Sequence, residues 1–264
     1  MDTTTSLVER YELDKLRQTE LDSLRQAELE EARLIQSAMQ PEDSLCAGPV
    51  TISHEFQPVD NVGGDFLDYF QLSDGCCGLY LGDVSGKGLA AAMYAALAVG
   101  TLRGVHKTGQ SPGAVLTLLN KRLLLRSAPR RHTAIQYAVF NPKTREMQIA
   151  SAGMPGPLHL SNKGCKVLEL CGIPPGLLPE ASYESSTLIL EPGDSVVFFS
   201  DGITDTFDTR GETFGLDRLV ALFADQRESS PEPMLQKVFS SLGRFCSGRE
   251  QHDDMTAVLF HYRP

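Results

Sequence analysis

Residues 62–98 read V-G-G-D-F-L-D-Y-F-Q-L-S-D-G-C-C-G-L-Y-L-G-D-V-S-G-K-G-L-A-A-A-M-Y-A-A-L-A, and they constrain the fold more than any other part of the chain. Two mainly apolar runs, residues 65–72 and 77–83, flank the turn signal Ser73-Asp74-Gly75, which predicts a β-hairpin with a carboxylate, Asp65 or Asp83, at each open end. After Gly86-Lys87-Gly88 the period changes, and residues 89–102 predict a helix whose alanines allow close approach to a sheet. This is the layout of a metal site held at the edge of a packed layer.

With 264 residues, 41% of them hydrophobic, the chain can bury one sizeable core and carry an arm. Residues 6–40 contain neither Gly nor Pro and stop at Pro41, so they read as one long helix. Its apolar positions, Leu13, Leu16, Leu21, Leu24, Ala27, Leu34, Ile35 and Ala38, form a stripe without a strict heptad. An amphipathic helix that packs on another surface or pairs with a second copy is expected, the plain alternative being an inert linker. The division is therefore residues 1–45 as a regulatory or linker helix and residues 46–264 as the main domain.

Beyond the hairpin and its helix, Ser111-Pro112 marks the start of a second helix reaching about Leu125. Strands are expected at 50–58, 133–140 and 146–151, the last two joined by N-P-K-T-R, and at 255–262. Residues 186–190 and 195–200 read as a further strand pair across E-P-G-D. The region 152–179, rich in Pro and Gly, should hold short strands and loops. Helices are expected at 216–224 and 232–245, separated by D-Q-R-E-S-S-P. Short turns leave no room for crossover helices, so the sheets are antiparallel. The expected fold is α+β: a four-layer α-β-β-α sandwich with two central antiparallel sheets, preceded by the long N-terminal helix.

A net charge of -10 and a pI near 5.1 argue against a nucleic-acid partner, which needs clustered Lys and Arg. None of the six cysteines has C-x-x-C spacing, and the adjacent Cys76 and Cys77 read as small buried hydrophobes in a reducing compartment. Asp2, Glu9 and Arg10 precede any apolar run, so no secretory signal is expected. The softest candidate span, residues 89–102, is too short to cross a bilayer. Cytoplasmic localisation without membrane insertion is the expectation.

Four acidic spots share one grammar, a carboxylate at a strand end beside glycine or other small residues. They are Asp65, Asp83, Asp201 in F-F-S-D-G, and the pair Asp253 and Asp254 in H-D-D-M-T. Carboxylates converging from several strands repel one another unless a cation neutralises them. An all-oxygen set suits Mg or Mn better than zinc, and none of the six histidines has H-x-x-x-H spacing. G-D-V-S-G-K-G at 82–88 departs from the Walker spacing, with three residues rather than four before G-K and Gly88 after it. Ser85 and Ser200 lack a G-x-S-x-G elbow and read as turn hydrogen bonders. Two metals on such carboxylates would lower the pKa of a bridging water and clamp phosphoryl oxygens for in-line attack, without a covalent intermediate.

V-G-G-D-F-L-D, G-D-V-S-G-K-G-L-A-A-A-M, L-E-P-G-D-S-V-V-F-F-S-D-G-I-T-D and Q-H-D-D-M-T-A-V, in that order, resemble the bacterial metal-dependent serine/threonine protein phosphatases of the PPM, or type 2C-like, superfamily. The resemblance covers about residues 30–264 and is narrowest to the sporulation and stress-response regulatory branch. It implies a β-sandwich flanked by helices with two Mn or Mg ions. Asp65, Asp83, Asp201 and Asp253 are then the catalytic metal ligands, with the backbone carbonyl of Val84 completing one shell. Asp254 matches the second member of the terminal pair, as a ligand or as an aid to one. Gly64, Gly86 and Gly202 would shape the loops.

Two positions depart from the family pattern, since Lys87 and Met154 stand where relatives commonly carry histidine. Neither removes an implied ligand, and Lys87 could meet a substrate phosphate or be a solvated turn lysine. The resemblance implies hydrolysis of phosphoserine or phosphothreonine on a partner such as an anti-anti-sigma-factor-like protein. It also implies regulation through the N-terminal helix, by a homodimer or a regulatory partner. The competing expectation is a non-catalytic signalling module with a vestigial metal site.

Overall fold

The computed structural model describes residues 2–106, 108–125, 131–224 and 230–263. A long helix, α1 (Asp2–Ser37), leads to strands β1 (Leu45–Ala47), β2 (Val50–Gln57), β3 (Phe66–Gln71) and β4 (Cys77–Val84). Helices α2 (Gly88–Arg103) and α3 (Pro112–Leu125) follow, then β5 (Thr133–Asn141), β6 (Glu146–Ala152), β7 (Leu158–Ser161) and β8 (Gly164–Val167). The chain closes with β9 (Ser186–Ile189), β10 (Ser195–Phe199), the single turn α4 (Asp201–Thr204), α5 (Gly215–Ala224), α6 (Pro231–Cys246) and β11 (Met255–Tyr262). Residues 225–229, within the polar connection expected before α6, lie outside the described residues.

One sheet has the order β1-β2-β11-β10-β7-β8 and the other β3-β4-β5-β6-β9, and every pairing is antiparallel. Alternation along the central strands sorts their side chains into separate layers. Leu79 and Leu81 of β4 and Val196 and Phe198 of β10 fill the core between the sheets. Tyr80 faces Ala91, Ala95 and Ala98 of α2 and Leu116 of α3, while Val197 and Phe199 face Leu219 of α5 and Val238 of α6. The result is the expected four-layer sandwich, with each fully buried large side chain contributing ~1.5–3 kcal/mol. Gly78 and Gly82 of β4 lie under the rings of Phe70 and Phe66, where a Cβ would collide.

The strand pair expected across E-P-G-D is corrected by the sheet order. Residues 186–189 pair with β6 in one sheet, whereas β10 pairs with β7 and β11 in the other. The Glu191–Asp194 turn carries the chain between sheets, with Gly193 at φ +97 and its amide donating to Tyr262 O. A short turn between two apolar runs looks the same in sequence whether it folds a hairpin or crosses a sandwich.

Ser111 caps α3 as expected, accepting from Ala114 N at 3.4 Å with Pro112 opening the helix. Cys76 and Cys77 are both buried. On α1, residues 11–28 are solvent-exposed throughout, so the leucine stripe has no partner within the described residues of this chain. Only its end engages the domain: Gln36 is buried, and Arg103 of α2 donates to Met39 O at 2.6 Å and to Asp68 of β3 at 2.8 Å. None of the described helices is long and apolar enough to cross a membrane.

Candidate metal centre

The acidic residues lie at one end of the sandwich, where strands of both sheets begin or finish. Asp65 immediately precedes β3, Asp83 is the penultimate residue of β4, Asp201 follows β10 as the first residue of α4, and Asp253 and Asp254 precede β11. Pairing of Phe66 with Gly82, and of Phe199 with Ala257, brings the ends into line within each sheet. The sheets are joined there by Thr256 Oγ1, which donates to Asp65 Oδ2 at 2.5 Å.

The loop that presents Asp65 is clamped from the opposite sheet. Asp254 Oδ1 accepts from Val59 N at 2.9 Å, and its Oδ2 accepts from Gly64 N at 2.6 Å and Asp65 N at 3.3 Å. Asp254 therefore has both oxygens turned to backbone amides. A Cβ on Gly63 would stand 2.6 Å from the Asp254 carboxyl carbon, and one on Gly64 2.8 Å from Val84 O and 3.1 Å from Asp83 Oδ1. Glycine is required at both positions by close approach. Gly86, at φ +89, lets the chain turn from Asp83 into α2, and Gly202 packs with its Cα side toward Asp254 and 3.3 Å, at a notional Cβ, from Asp253 Cβ.

Burial raises the Asp65 carboxyl well above the usual carboxylate range, with Asp83 and Asp254 adding to the rise. The Asp83 carboxyl is pushed up to about 7, first by burial and then by the charges of Asp201, Asp253 and Asp254. Asp201 is raised too, by burial and then by Asp205 and Asp253. These carboxylates are near enough to resist one another's ionisation, which is the electrostatic condition for a cation. Among the described residues, no group of three or more His, Cys, Asp or Glu side chains is arranged to hold a metal ion as it stands. The donor set is all-oxygen, which fits a hard divalent ion with water in the remaining positions.

The remaining expected residues fall as follows. The Val84 carbonyl faces Gly64, while Val84 N donates to Gly64 O at 3.3 Å. Lys87 lies at the acidic cluster, its ammonium 3.6 Å from Asp253 Oδ2 and donating to His252 O. Met154 is instead buried in the core between the sheets. Ser85 and Ser200 serve as hydrogen bonders: Ser85 Oγ accepts from His132 N at 3.2 Å, and Ser200 Oγ accepts from Thr256 N at 3.0 Å. Four residues near the cluster were not singled out by sequence: Gln36, Arg131, Asp205 and Thr256. Asp205 had a signal, since F-F-S-D-G-I-T-D holds a second aspartate one helical turn after Asp201. The others are brought in only by tertiary contacts.

Two antiparallel sheets between helical layers, with carboxylates gathered at strand ends, define the PP2C-type phosphatase fold. The SiaA-PP2C domain of Pseudomonas aeruginosa superposes with a TM-score of 0.84 at 21% identity, over 92% of this chain and 98% of that one. The chain belongs to the family of Stage II sporulation protein E (SpoIIE), whose profile matches residues 73–263. It is 26% identical over 230 residues to phosphoserine phosphatase RsbU of Bacillus subtilis (strain 168), covering 86% of this chain and 66% of that protein. It is also 24% identical over 216 residues to phosphoserine phosphatase RsbP of the same organism, covering 80% of this chain and 52% of that protein.

Proposed function

We propose that residues 46–264 form a phosphatase domain that hydrolyses phosphoserine or phosphothreonine on a regulatory partner protein, with residues 1–45 as its regulatory or linker helix. The observation that carries this reading is the convergence of Asp65, Asp83, Asp201 and Asp253 at one end of the sandwich, where burial and neighbouring carboxylates raise Asp65, Asp83 and Asp201 and so call for cations. These four, with the carbonyl of Val84, would hold two divalent cations, Mn or Mg. When bound, such ions activate water for in-line attack on phosphorus and neutralise charge developing on the phosphoryl oxygens.

The chain's own residues set the geometry. Thr256 orients Asp65 through its hydroxyl, and Asp254 fixes the Gly63–Asp65 backbone, so its role is to position the loop. Thr133 Oγ1 donates to Asp83 O at 3.0 Å and steadies the end of β4. The names of RsbU and RsbP support a phosphoserine substrate, and an anti-anti-sigma-factor-like protein is the partner proposed. Metal-dependent release of phosphate from p-nitrophenyl phosphate and from a phosphoserine protein, repeated with Asp83→Asn, tests the reading. No turnover by the wild-type chain under either metal would leave a partner-binding module instead.

A further inference from the structure

A site that draws a phosphomonoester dianion toward four carboxylates needs positive charge from the protein as well as from metal. Two described side chains beside the cluster supply cations, and they are differently committed. The Lys87 ammonium is paired with Asp253. Arg131 forms no ion pair among the described residues, so beside the cluster its charge is not taken up by a carboxylate as that of Lys87 is.

Arg131 is held in place by its neighbours. Ser85 N donates to His132 O at 3.0 Å, His132 N donates to Ser85 Oγ at 3.2 Å, and Arg131 Nη1 donates to Ser85 O. The guanidinium lies against Gly86, so that a Cβ there would meet Nη1, with Cζ at 3.2 Å and Nη2 at 3.5 Å. The inner side of the same turn approaches Gly64, where a notional Cβ stands 3.4 Å from Gly86 O and 3.1 Å from Asp83 Oδ1. The half-buried Arg131 and the Asp83 carboxylate thus border the same turn, Arg131 at Gly86 and Asp83 at Gly64, whose notional Cβ also meets Gly86 O. Holding Ser85 O uses one of five N–H donors, a task that a neutral side chain could perform. A planar fork with donors to spare matches phosphate oxygens.

We infer that Arg131 binds the phosphoryl group of the substrate, as a ground-state recognition residue at the rim of the metal centre; this rests on the phosphatase reading above. Arg131→Gln keeps an amide donor for Ser85 O and removes the charge, and Arg131→Lys keeps the charge without the fork. With p-nitrophenyl phosphate and saturating Mn, Arg131→Gln is expected to raise KM, and the inhibition constant of inorganic phosphate, each about tenfold. Its kcat should stay within about twofold of wild type, with the Mn requirement and Tm unchanged, because removing an interaction made equally in the ground and transition states changes KM alone. Arg131→Lys keeps the charge and loses the fork, so its KM should rise by about three- to tenfold, and this comparison stands alone if the Gln variant fails to fold. KM and the phosphate constant unchanged in an active Arg131→Gln enzyme would overturn the inference alone, as would a changed Mn requirement without a change in either. A KM unchanged in Arg131→Lys, when that is the only folded variant, also counts against it. A wild-type chain that releases no phosphate overturns the phosphatase reading and this inference with it.

Discussion

The side-chain amide of Gln36, on the last turn of α1, brackets the backbone of Gly63: Nε2 donates to Gly63 O at 2.8 Å and Oε1 accepts from Gly63 N at 3.0 Å. Gly63 is two residues before Asp65 and lies against the Asp254 carboxylate that receives Gly64 N and Asp65 N. One buried side chain therefore ties the otherwise exposed N-terminal helix to the loop that presents Asp65. A rotation or shift of α1 cannot leave that loop untouched.

Gln36→Ala removes both hydrogen bonds and leaves a buried donor and acceptor on Gly63. Destabilisation of about 2 kcal/mol is expected, since each orphaned buried group costs ~1–3 kcal/mol. The same change should lower phosphatase activity roughly tenfold, the scale expected when a group that supports a metal ligand is removed. Thermal melts together with Mn titrations of activity check this, and a variant with wild-type values of both would show the tie to be dispensable.

Asp83→Asn should abolish most hydrolysis, by roughly 100-fold or more, because a ligand matters at least as much as the groups that orient it. It should also stabilise the metal-free protein. An acid whose folded pKa is raised disfavours folding increasingly as pH climbs from its unfolded value, near 3.8, to its folded value of about 7. Wild-type protein in chelator should therefore melt higher at pH 5.5 than at pH 7.5 by an amount that shrinks in Asp83→Asn. Calorimetry at the two pH values reads both quantities, and an equal pH dependence in the two proteins would contradict the assignment.

Much of this centre was legible in sequence because each carboxylate sits within a local signal, a strand end beside small residues. Asp65 and Asp83 frame a hairpin whose turn, Ser73-Asp74-Gly75, lies one residue from each strand. The parts that were not legible are long-range. Thr256 reaches Asp65 across 191 positions, and Gln36 reaches Gly63 from a helix whose visible pattern is leucine. The sheet change between β9 and β10 was hidden for a related reason: strand pairing depends on which partners β6 and β11 offer, and neither is adjacent in the chain.

Lys87 places its ammonium 3.6 Å from Asp253, where it offers the carboxylate a competing positive charge. Both side chains are about four-tenths exposed, so the competition is weakened by solvent. Lys87→Ala should lower the Mn concentration for half-maximal activity by roughly two- to fivefold, the scale of a solvent-screened ion pair. Isothermal titration with Mn gives the affinity directly. Weaker Mn binding in the variant would mean that Lys87 supports the site.

The contact between Gln36 and Gly63 also separates two truncations that otherwise look alike. Removing residues 1–30 takes away most of the solvent-exposed leucine stripe but spares Gln36, whereas removing residues 1–40 takes both. An exposed stripe that includes Leu13, Leu16, Leu21 and Leu24 is an unfavourable surface to leave in water unless it meets another chain. The shorter truncation is expected to change the number of subunits given by light scattering while leaving Mn dependence and Tm close to those of the full chain. The longer one should change all three, because the Asp65 loop loses its support. If both truncated proteins matched the full chain in subunit number, Mn dependence and melting, α1 would be neither an association surface nor a brace for the metal centre.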